Sequence, residues 1–366
     1  MDAATEPDQV EKLREIWHAG EIDSDIDYYL TVAAHAPWVV RPHVVHLERD
    51  GRDLLGIARL EKYALRINAG HRAFARPELR SIVVTFGGIV GCRDIDDELS
   101  VIDALSEPLR TGEAEALVLQ RVRRPSTLWQ ASQRRLRVYG LPVAHRSVAK
   151  KPASLEAFLA SRSSTTRRRF QKEDKRLESE HRVEVVRYDS VEQADVLAQH
   201  MEAIAAKTYQ RAIGTGHRGD TVDAALIRLC LAKGWLRVWM LYLDGKPVAF
   251  WEGTTYGGRY LGGVTGYDPE YARKSVGRYT MHRMVAEVCA DPAVEVIDLG
   301  QGDQEYKLEF QPDRIDECDV ILLARRPRAL ALGAALSATT VANTLGKRIS
   351  RSEAAAKVRA RLKTGR

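Results

Sequence analysis

Two matching segments, one in each half of the chain, constrain its fold more than any other feature: Val45-His-Leu-Glu-Arg-Asp-Gly-Arg-Asp-Leu-Leu and Trp239-Met-Leu-Tyr-Leu-Asp-Gly-Lys-Pro-Val-Ala. Each reads as strand, Asp-Gly turn, strand. A two-residue type I′ turn needs positive φ at both central positions, which Asp and Gly tolerate, so Asp50-Gly51 and Asp244-Gly245 predict two β-hairpins. Their early position in each half predicts a duplicated unit. At 366 residues and 45% hydrophobic content, two domains of about 150 residues each are the default expectation.

The first half predicts a helix near Gln9–His18, strands near His43–Glu48, Asp53–Leu60 and Ser81–Phe86, and a helix near Ile95–Leu109. A strand at Ala116–Arg121 and a helix around Ser126–Leu136 follow, and Val138–Ser147 crosses toward a linker at Lys150–Pro152. Gly87-Gly88 and Gly91 read as a plain turn. The second half predicts a helix over Ser161–Glu180, a strand at Val183–Tyr188, helices at Val191–Tyr209 and Asp220–Lys233, then a meander of Leu236–Leu243, Pro247–Thr255 and Arg259–Tyr267. After the loop Asp268–Gly277 come a helix Arg278–Ala290, a strand Val294–Leu299, a short helix capped by Asp303, and a strand Asp319–Ala324. This order fits mixed α+β units on mostly antiparallel sheets, and fits an all-helical or doubly wound parallel fold poorly.

Charge is concentrated at one end. Residues 325–366 carry eleven Lys or Arg and a single acid, Glu353, whereas the whole chain is only +6; the body before the tail is therefore net acidic and does not read as a polyanion binder. In the tail, Leu330, Ala334, Val341, Leu345 and Ile349 share one helical face, with Arg325, Arg326, Arg328, Lys347 and Arg348 flanking it. Such a helix suits packing on the body, a protein partner, or an anionic membrane surface. No stacking aromatics accompany it, so specific nucleic-acid binding is not expected. Cys92, Cys230, Cys289 and Cys318 form no close pair, which argues against a zinc site or a disulfide scaffold and for a reducing compartment. The polar start, Met1–Val10, and the lack of a long apolar run predict a cytoplasmic protein, peripheral at most at the inner membrane face.

The stretch Val296–Phe310 packs a buried strand, a glycine turn at Gly300 and Gly302, and a polar helix start bearing Tyr306 and Lys307. Its Asp298, Leu299, Gly300, Gly302, Tyr306 and Lys307 resemble the Asp-(Phe/Leu)-Gly-x-Gly-x-x-x-Tyr-Lys signature of the CelD/FemAB-like branch of the GNAT acyltransferase superfamily. The resemblance continues through Ser161–Arg176, Leu241–Ala249, Gly266–Pro269 and Ser275–Gly277, covering roughly residues 150–325. It implies tandem GNAT-like domains over 1–149 and 150–325, with a basic helical tail over 326–366. It also implies an acyltransferase that takes acetyl-CoA or another acyl-CoA as cosubstrate, without a metal, and acylates an amine or hydroxyl of a sugar or polysaccharide intermediate. A FemAB-like aminoacyl-tRNA-dependent transferase of cell-wall precursors and a noncatalytic envelope assembly module are the alternatives.

In such a fold the loop before a helix presents N–H groups to a diphosphate, and Arg273, Lys274, Ser275, Gly277 and Arg278 supply charge and close approach. The resemblance is imperfect there, because Tyr279 and Val276 stand where the family has small residues and proline. Acyl transfer needs a base and an acid. Tyr306 is the acid expected, since a phenol donates at neutral pH. For the base, Glu252, mid-strand between Trp251 and Gly253, competes with Asp303 and Asp298, and Lys307 is suited to hold a carboxylate, phosphate or carbonyl oxygen. Among Arg162, Arg167, Arg168, Arg169, Lys172, Lys175 and Arg176, we single out Arg167, Arg168 and Lys172 to dock an anionic acceptor or cosubstrate tail. No Gly-x-Ser-x-Gly, His-Glu-x-x-His or Gly-Lys-Ser/Thr motif occurs, which removes the hydrolase, metalloenzyme and nucleotidase readings; His43, His46 and His282 read as packing residues.

Overall fold

Both Asp-Gly pairs close the predicted hairpins in the computed structural model, which describes residues 3–69, 72–135, 137–208, 211 and 216–351. Asp50 and Gly51 have φ of 52° and 68°, and Asp244 and Gly245 have 52° and 81°. Each turn leads into the same pattern. In the first unit Val39–Arg49 runs antiparallel to Arg52–Ala64, which runs antiparallel to Glu78–Val90; the helix Ile95–Leu105 then crosses to a parallel strand, Ala116–Arg124. In the second unit Leu236–Leu243, Lys246–Tyr256 and Arg259–Tyr267 form the antiparallel run, and the helix Val276–Ala290 crosses to the parallel strand Val296–Gln301. A parallel neighbour requires such a crossover, since no tight turn can return the chain in the same direction. The chain thus folds as two units of mixed α+β class that repeat one element order, each with mostly antiparallel strands flanked by helices.

Tertiary pairing, rather than sequence halves, sets the units. One takes Met1–Ala19, Pro37–Val143 and Cys318–Arg366; the other takes Gly20–Ala36 and Ala144–Glu317. The expected linker Lys150–Pro152 is consequently not a boundary, because Ala144–Lys150 is a strand paired antiparallel to Val296–Gln301 inside the second unit. Asp313–Glu317 pairs along the other edge of that inserted strand, while Val320–Leu322 pairs with Val138–Gly140 in the first unit. The final strand therefore starts at Asp313, earlier than Asp319. A helix absent from the sequence reading, Ile26–His35, is capped by Asp25, whose carboxylate accepts from the N–H groups of Asp27 and Tyr28.

Other expected elements are shortened where local chemistry interrupts them. The first helix is only Pro7–Glu11, followed by a 3-10 turn at Arg14–Ile16. Ile95–Leu109 breaks at Ser106, ahead of Pro108, into Ile95–Leu105 and Glu107–Thr111. Ser161–Glu180 begins at Ser164, because Ser163 caps it by accepting from Thr166 N–H. The helix expected over Val191–Tyr209 is a 3-10 turn, Val191–Gln193, and the helix Ala194–Ala205; Tyr209 lies outside the described residues, as does Leu136. Gly87, at φ 73°, falls within the strand Glu78–Val90, and Gly91, at φ 80°, follows it.

The tail opens as the helix Pro327–Arg351. Ala329 and Leu336 pack with Leu65, Ile321 and Leu323 in the first unit's core, whereas Leu330 of the apolar face read from the sequence is half exposed; the side chains of Val341, Leu345 and Ile349 lie outside the described residues. Residues 352–366 lie outside the described residues. Among the described residues no helix is long and apolar enough to cross a membrane.

Candidate active site

The parallel strands of the second unit part company midway. Their pairing ends at Leu261 opposite Asp298, although one strand runs on to Tyr267 and the other to Gln301. The free stretch, Gly262–Tyr267, keeps its other edge on Lys246–Tyr256, with a bulge that sets Gly263 and Val264 against the single residue Glu252. A Cβ on Gly263 would sit 3.0 Å from Glu252 Oε1, so glycine there leaves room for the carboxylate. Glu252 accordingly lies beside the opened edge of the sheet.

Its side chain lines a small cavity of about 160 Å³ with Tyr28, His217, Asp223, Cys230 and Thr254. Loss of water around the carboxylate, reinforced by the negative charge of Asp223, pushes the Glu252 pKa up to about 7, against a hydrogen bond from Val264 N–H that favours the ionised form. His217 is 5% exposed, and its Nε2 has no hydrogen-bond partner among the described residues. Its Nδ1 stands 3.4 Å from Asp223 Oδ2. Burial lowers the imidazole pKa, so the ring is neutral at pH 7. Sequence reasoning passed over His217 and Asp223. The one local signal was Asp220, three residues before Asp223, which caps the helix Thr221–Ala232 and thereby orients this wall.

Alternation along the strand sends Trp251 to the opposite face from Phe250 and Glu252. Phe250 joins the core of Met201, Ile227 and Cys230, and Trp251 joins that of Met281, Val285 and Ile297. Tyr306 stacks edge-on against Trp251 with ring centroids 5.1 Å apart. The base candidate and the acid candidate therefore lie on opposite faces of the strand. Burial alone pushes the Tyr306 pKa up to about 12, which keeps its phenol protonated. The ring borders an open groove shared with Arg162, Thr166, Arg169 and Glu309.

Of the remaining catalytic candidates, Asp298 and Lys307 brace the glycine turn. Asp298, 1% exposed, accepts from Arg146 Nε at 2.7 Å and from Gly300 N–H at 2.9 Å. Lys307, 3% exposed, donates from Nζ to the carbonyls of Gly300 at 3.2 Å and Gln301 at 2.7 Å, so two of its three ammonium protons hold the turn. Asp303 does not cap a helix. It accepts from the exposed Arg314 at 3.1 Å, and the element that follows is a 3-10 turn, Glu305–Phe310, entered at Gln304.

The cationic loop carries an anion of its own. Ser275 holds left-handed backbone, φ 56° and ψ 29°, at the start of the helix Val276–Ala290. Its Oγ and Arg278 Nη2 both donate to one oxygen, Glu173 Oε2, at 3.0 Å each. Arg278 also reaches Asp174 at 2.9 Å, and Lys274 reaches Glu180 at 3.1 Å. Arg273 is exposed and has no ion pair among the described residues. The donor set suits an anion, and a carboxylate from the helix Ser164–Glu180 occupies it. A Cβ on Gly277 would make an ordinary 3.5 Å contact with Tyr267 and meet no other protein atom within 4 Å.

The arginine run divides along that same helix. Phe170 and Leu177 turn inward, Arg169 and Arg176 pair with Glu173 and Glu180 one turn on, and Arg162 bonds to Glu309. Arg167, Arg168 and Lys172 point to solvent and have no ion pair among the described residues.

Residues 164–308 match the acetyltransferase (GNAT) domain family. No curated relative matches the chain by sequence. Among solved structures the chain is similar to FemX, at 9% identity and a TM-score of 0.59, covering 91% of this chain and 100% of that one. It is also similar to the C-terminal domain (DUF2156) of a putative lysylphosphatidylglycerol synthetase from Agrobacterium fabrum, at 14% identity and a TM-score of 0.53, covering 88% and 94%. A third is L-PGS from Bacillus licheniformis, at 11% identity and a TM-score of 0.50, covering 90% and 96%. At these identities the likeness concerns the fold.

Proposed function

We propose that this chain is an acyl-CoA-dependent acyltransferase whose second unit moves an acyl group, acetyl in the simplest case, to an amine or hydroxyl of a sugar or polysaccharide intermediate. The observation that carries the reading is Glu252: a carboxyl with a pKa of about 7, set beside the opened edge of the parallel pair within a stretch that matches an acetyltransferase domain. A base poised near the working pH is what deprotonation of an attacking amine or hydroxyl requires. Glu252 takes the proton as the acceptor's nitrogen or oxygen bonds to the thioester carbon. The C–S bond then breaks, and the departing thiolate is protonated by the Tyr306 phenol. Beyond Leu261 and Asp298 the parallel pairing stops while Gly262–Tyr267 stays paired with Lys246–Tyr256; in this reading the donor lies in that opening, with its thioester carbon toward Glu252 and its sulfur toward Tyr306. Arg273, Lys274, Ser275 and Arg278 would hold the diphosphate once Glu173 withdraws. The glycan acceptor rests on the CelD-like resemblance, and the basic tail suits a position at an anionic membrane face.

A second reading, aminoacyl transfer of the FemAB-like kind, is favoured by one specific observation. Two of the three loop cations, Lys274 and Arg278, are already paired with Glu180, Glu173 and Asp174, which suits a donor without a diphosphate. Calorimetry with CoA and acetyl-CoA on the full chain separates the two. Binding lost in Arg273→Ala/Lys274→Ala/Arg278→Ala, together with acyl transfer reduced in Glu252→Gln and Tyr306→Phe, supports the CoA reading. No binding of either compound sinks it in favour of the aminoacyl donor.

A further inference from the structure

A second cationic site lies in the first unit, apart from every residue considered for acyl transfer. Arg110, Arg134, Arg135, Arg137, Arg325 and Arg326 line a cleft of about 590 Å³ floored by Leu109, Leu322 and Ala324, and among the described residues Asp103 is the one acid lining it. Asp103 is already used, since it accepts from Arg135 Nε at 2.7 Å and Nη2 at 2.6 Å. Arg110 is paired with Glu107, and Arg134 comes no nearer than 3.8 Å to Asp96. Arg137, Arg325 and Arg326 have no carboxylate partner among the described residues.

Two of these three guanidinium groups are positioned by the backbone. Arg137 Nε donates to Leu323 O at 3.0 Å, and Leu323 N–H donates to Arg137 O at 3.2 Å, which fixes both ends of the residue. Arg137 itself has φ 59°, a left-handed conformation that a bulky side chain adopts only where surroundings over-determine it. Arg326 lies across Gly112, where any Cβ would stand 1.4 Å from its Nη2. Glycine at 112, at φ 88°, thus ends the helix Glu107–Thr111 and makes the seat for the guanidinium.

We propose that this cleft binds a phosphate or diphosphate ester, with Arg137, Arg325 and Arg326 on the phosphoryl oxygens. Like charges gathered without a counter-ion destabilise the fold they sit on, and an incoming dianion removes that repulsion. Guanidinium forks match phosphate oxygens bidentately, and the apolar floor covers the carbon portion of the ester. The volume lies in the range of small-molecule sites, about 300–1,000 Å³. A soluble ester and a phospholipid headgroup share this chemistry, and the helix that starts at Pro327, directly after Arg326, makes a lipid source reasonable to test. The proposal does not rest on the acyl-transfer reading.

Calorimetric titration of the full chain with inorganic pyrophosphate tests it. The expected result is binding that weakens about tenfold or more in Arg325→Gln/Arg326→Gln and in Arg137→Gln, and is unchanged in Arg228→Gln, an exposed arginine of the other unit. The Arg325/Arg326 variant alters exposed side chains only, so its circular dichroism should match the parent. Flotation with phosphatidylglycerol-containing vesicles identifies the source: binding that pyrophosphate displaces and the double variant loses makes the ligand a lipid headgroup. Vesicle binding indifferent to both belongs to the basic tail and, with pyrophosphate binding still lost in the variant, makes the ligand a soluble ester. Equal pyrophosphate binding by parent and both cleft variants, or none by the parent, overturns the proposal.

Discussion

Arg146 grips Asp298 across 152 positions of sequence, with Nε 2.7 Å and Nη2 2.6 Å from the same carboxylate oxygen and both side chains almost wholly buried. The other oxygen of Asp298 holds the N–H of Gly300, so one ion pair sets the turn from which Lys307 and Tyr306 follow. Removing Asp298 leaves the buried Arg146 with only the longer contact of its Nη1 to Glu317, 3.5 Å away. Asp298→Ala should cost about 3–5 kcal/mol in urea unfolding, and Arg146→Ala/Asp298→Ala should cost clearly less than the sum of the single changes. Additive costs would mean that the pair is not coupled.

Glu252 supplies a pH dependence with a definite sign. Its folded pKa, about 7, is above the ordinary 4.5, so burial favours the protonated form. Acyl transfer should rise with pH through about 7 and level off, and Glu252→Gln should lower kcat about a hundredfold or more and abolish the inflection. Stability runs the other way. The parent loses stability as pH rises from about 4.5 to 7, so at pH 8 Glu252→Gln should be the more stable protein by on the order of 2 kcal/mol, with the gain gone below pH 4. Thermal melts of both proteins at pH 4 and pH 8 measure this independently of any substrate.

How far the sequence discloses these arrangements depends on how local their causes are. The two hairpins, the meander and the crossover helices were legible because turn chemistry and apolar periodicity act within a few residues. Unit membership was not, since Gly20–Ala36 and the two parts of the last strand are assigned by pairings made far away. At the site, Glu252 was legible as a carboxylate on an apolar strand. The structural duty of Asp298 was hidden in Arg146, and that of Lys307 in the direction of two carbonyls. His217 carries no motif, and only the fold shows it lining one cavity with Glu252, its Nε2 without a hydrogen-bond partner among the described residues.

If the two units share one hairpin design, the same substitution should act alike in both. A Cβ added at Gly51 or Gly245 would meet nothing within 4 Å, so the cost of adding one is conformational alone. Gly51→Ala and Gly245→Ala should each lose about 1–2 kcal/mol, from the penalty for left-handed backbone. Chemical denaturation of each variant checks this. A cost well above that range at either site would point to a contact that the open turn does not have.

Glu173 offers the sharpest test of the loop. It competes for the same donors that a ligand diphosphate would use, Ser275 Oγ and Arg278 Nη2, so its charge must be displaced before an anion binds. Glu173→Gln keeps the size of the side chain and removes that charge. CoA affinity should then rise about fivefold or more, the equivalent of roughly 1 kcal/mol for a partly exposed ion pair, whereas Arg278→Gln should weaken it. The two effects have opposite signs, which a general loss of structure cannot produce. Titration of CoA into the parent and both variants reads them directly. An affinity that Glu173→Gln leaves unchanged while Arg278→Gln lowers it would mean that Arg278 meets the ligand from a side Glu173 does not cover. Indifference to both changes would move the phosphate contacts away from this helix start altogether.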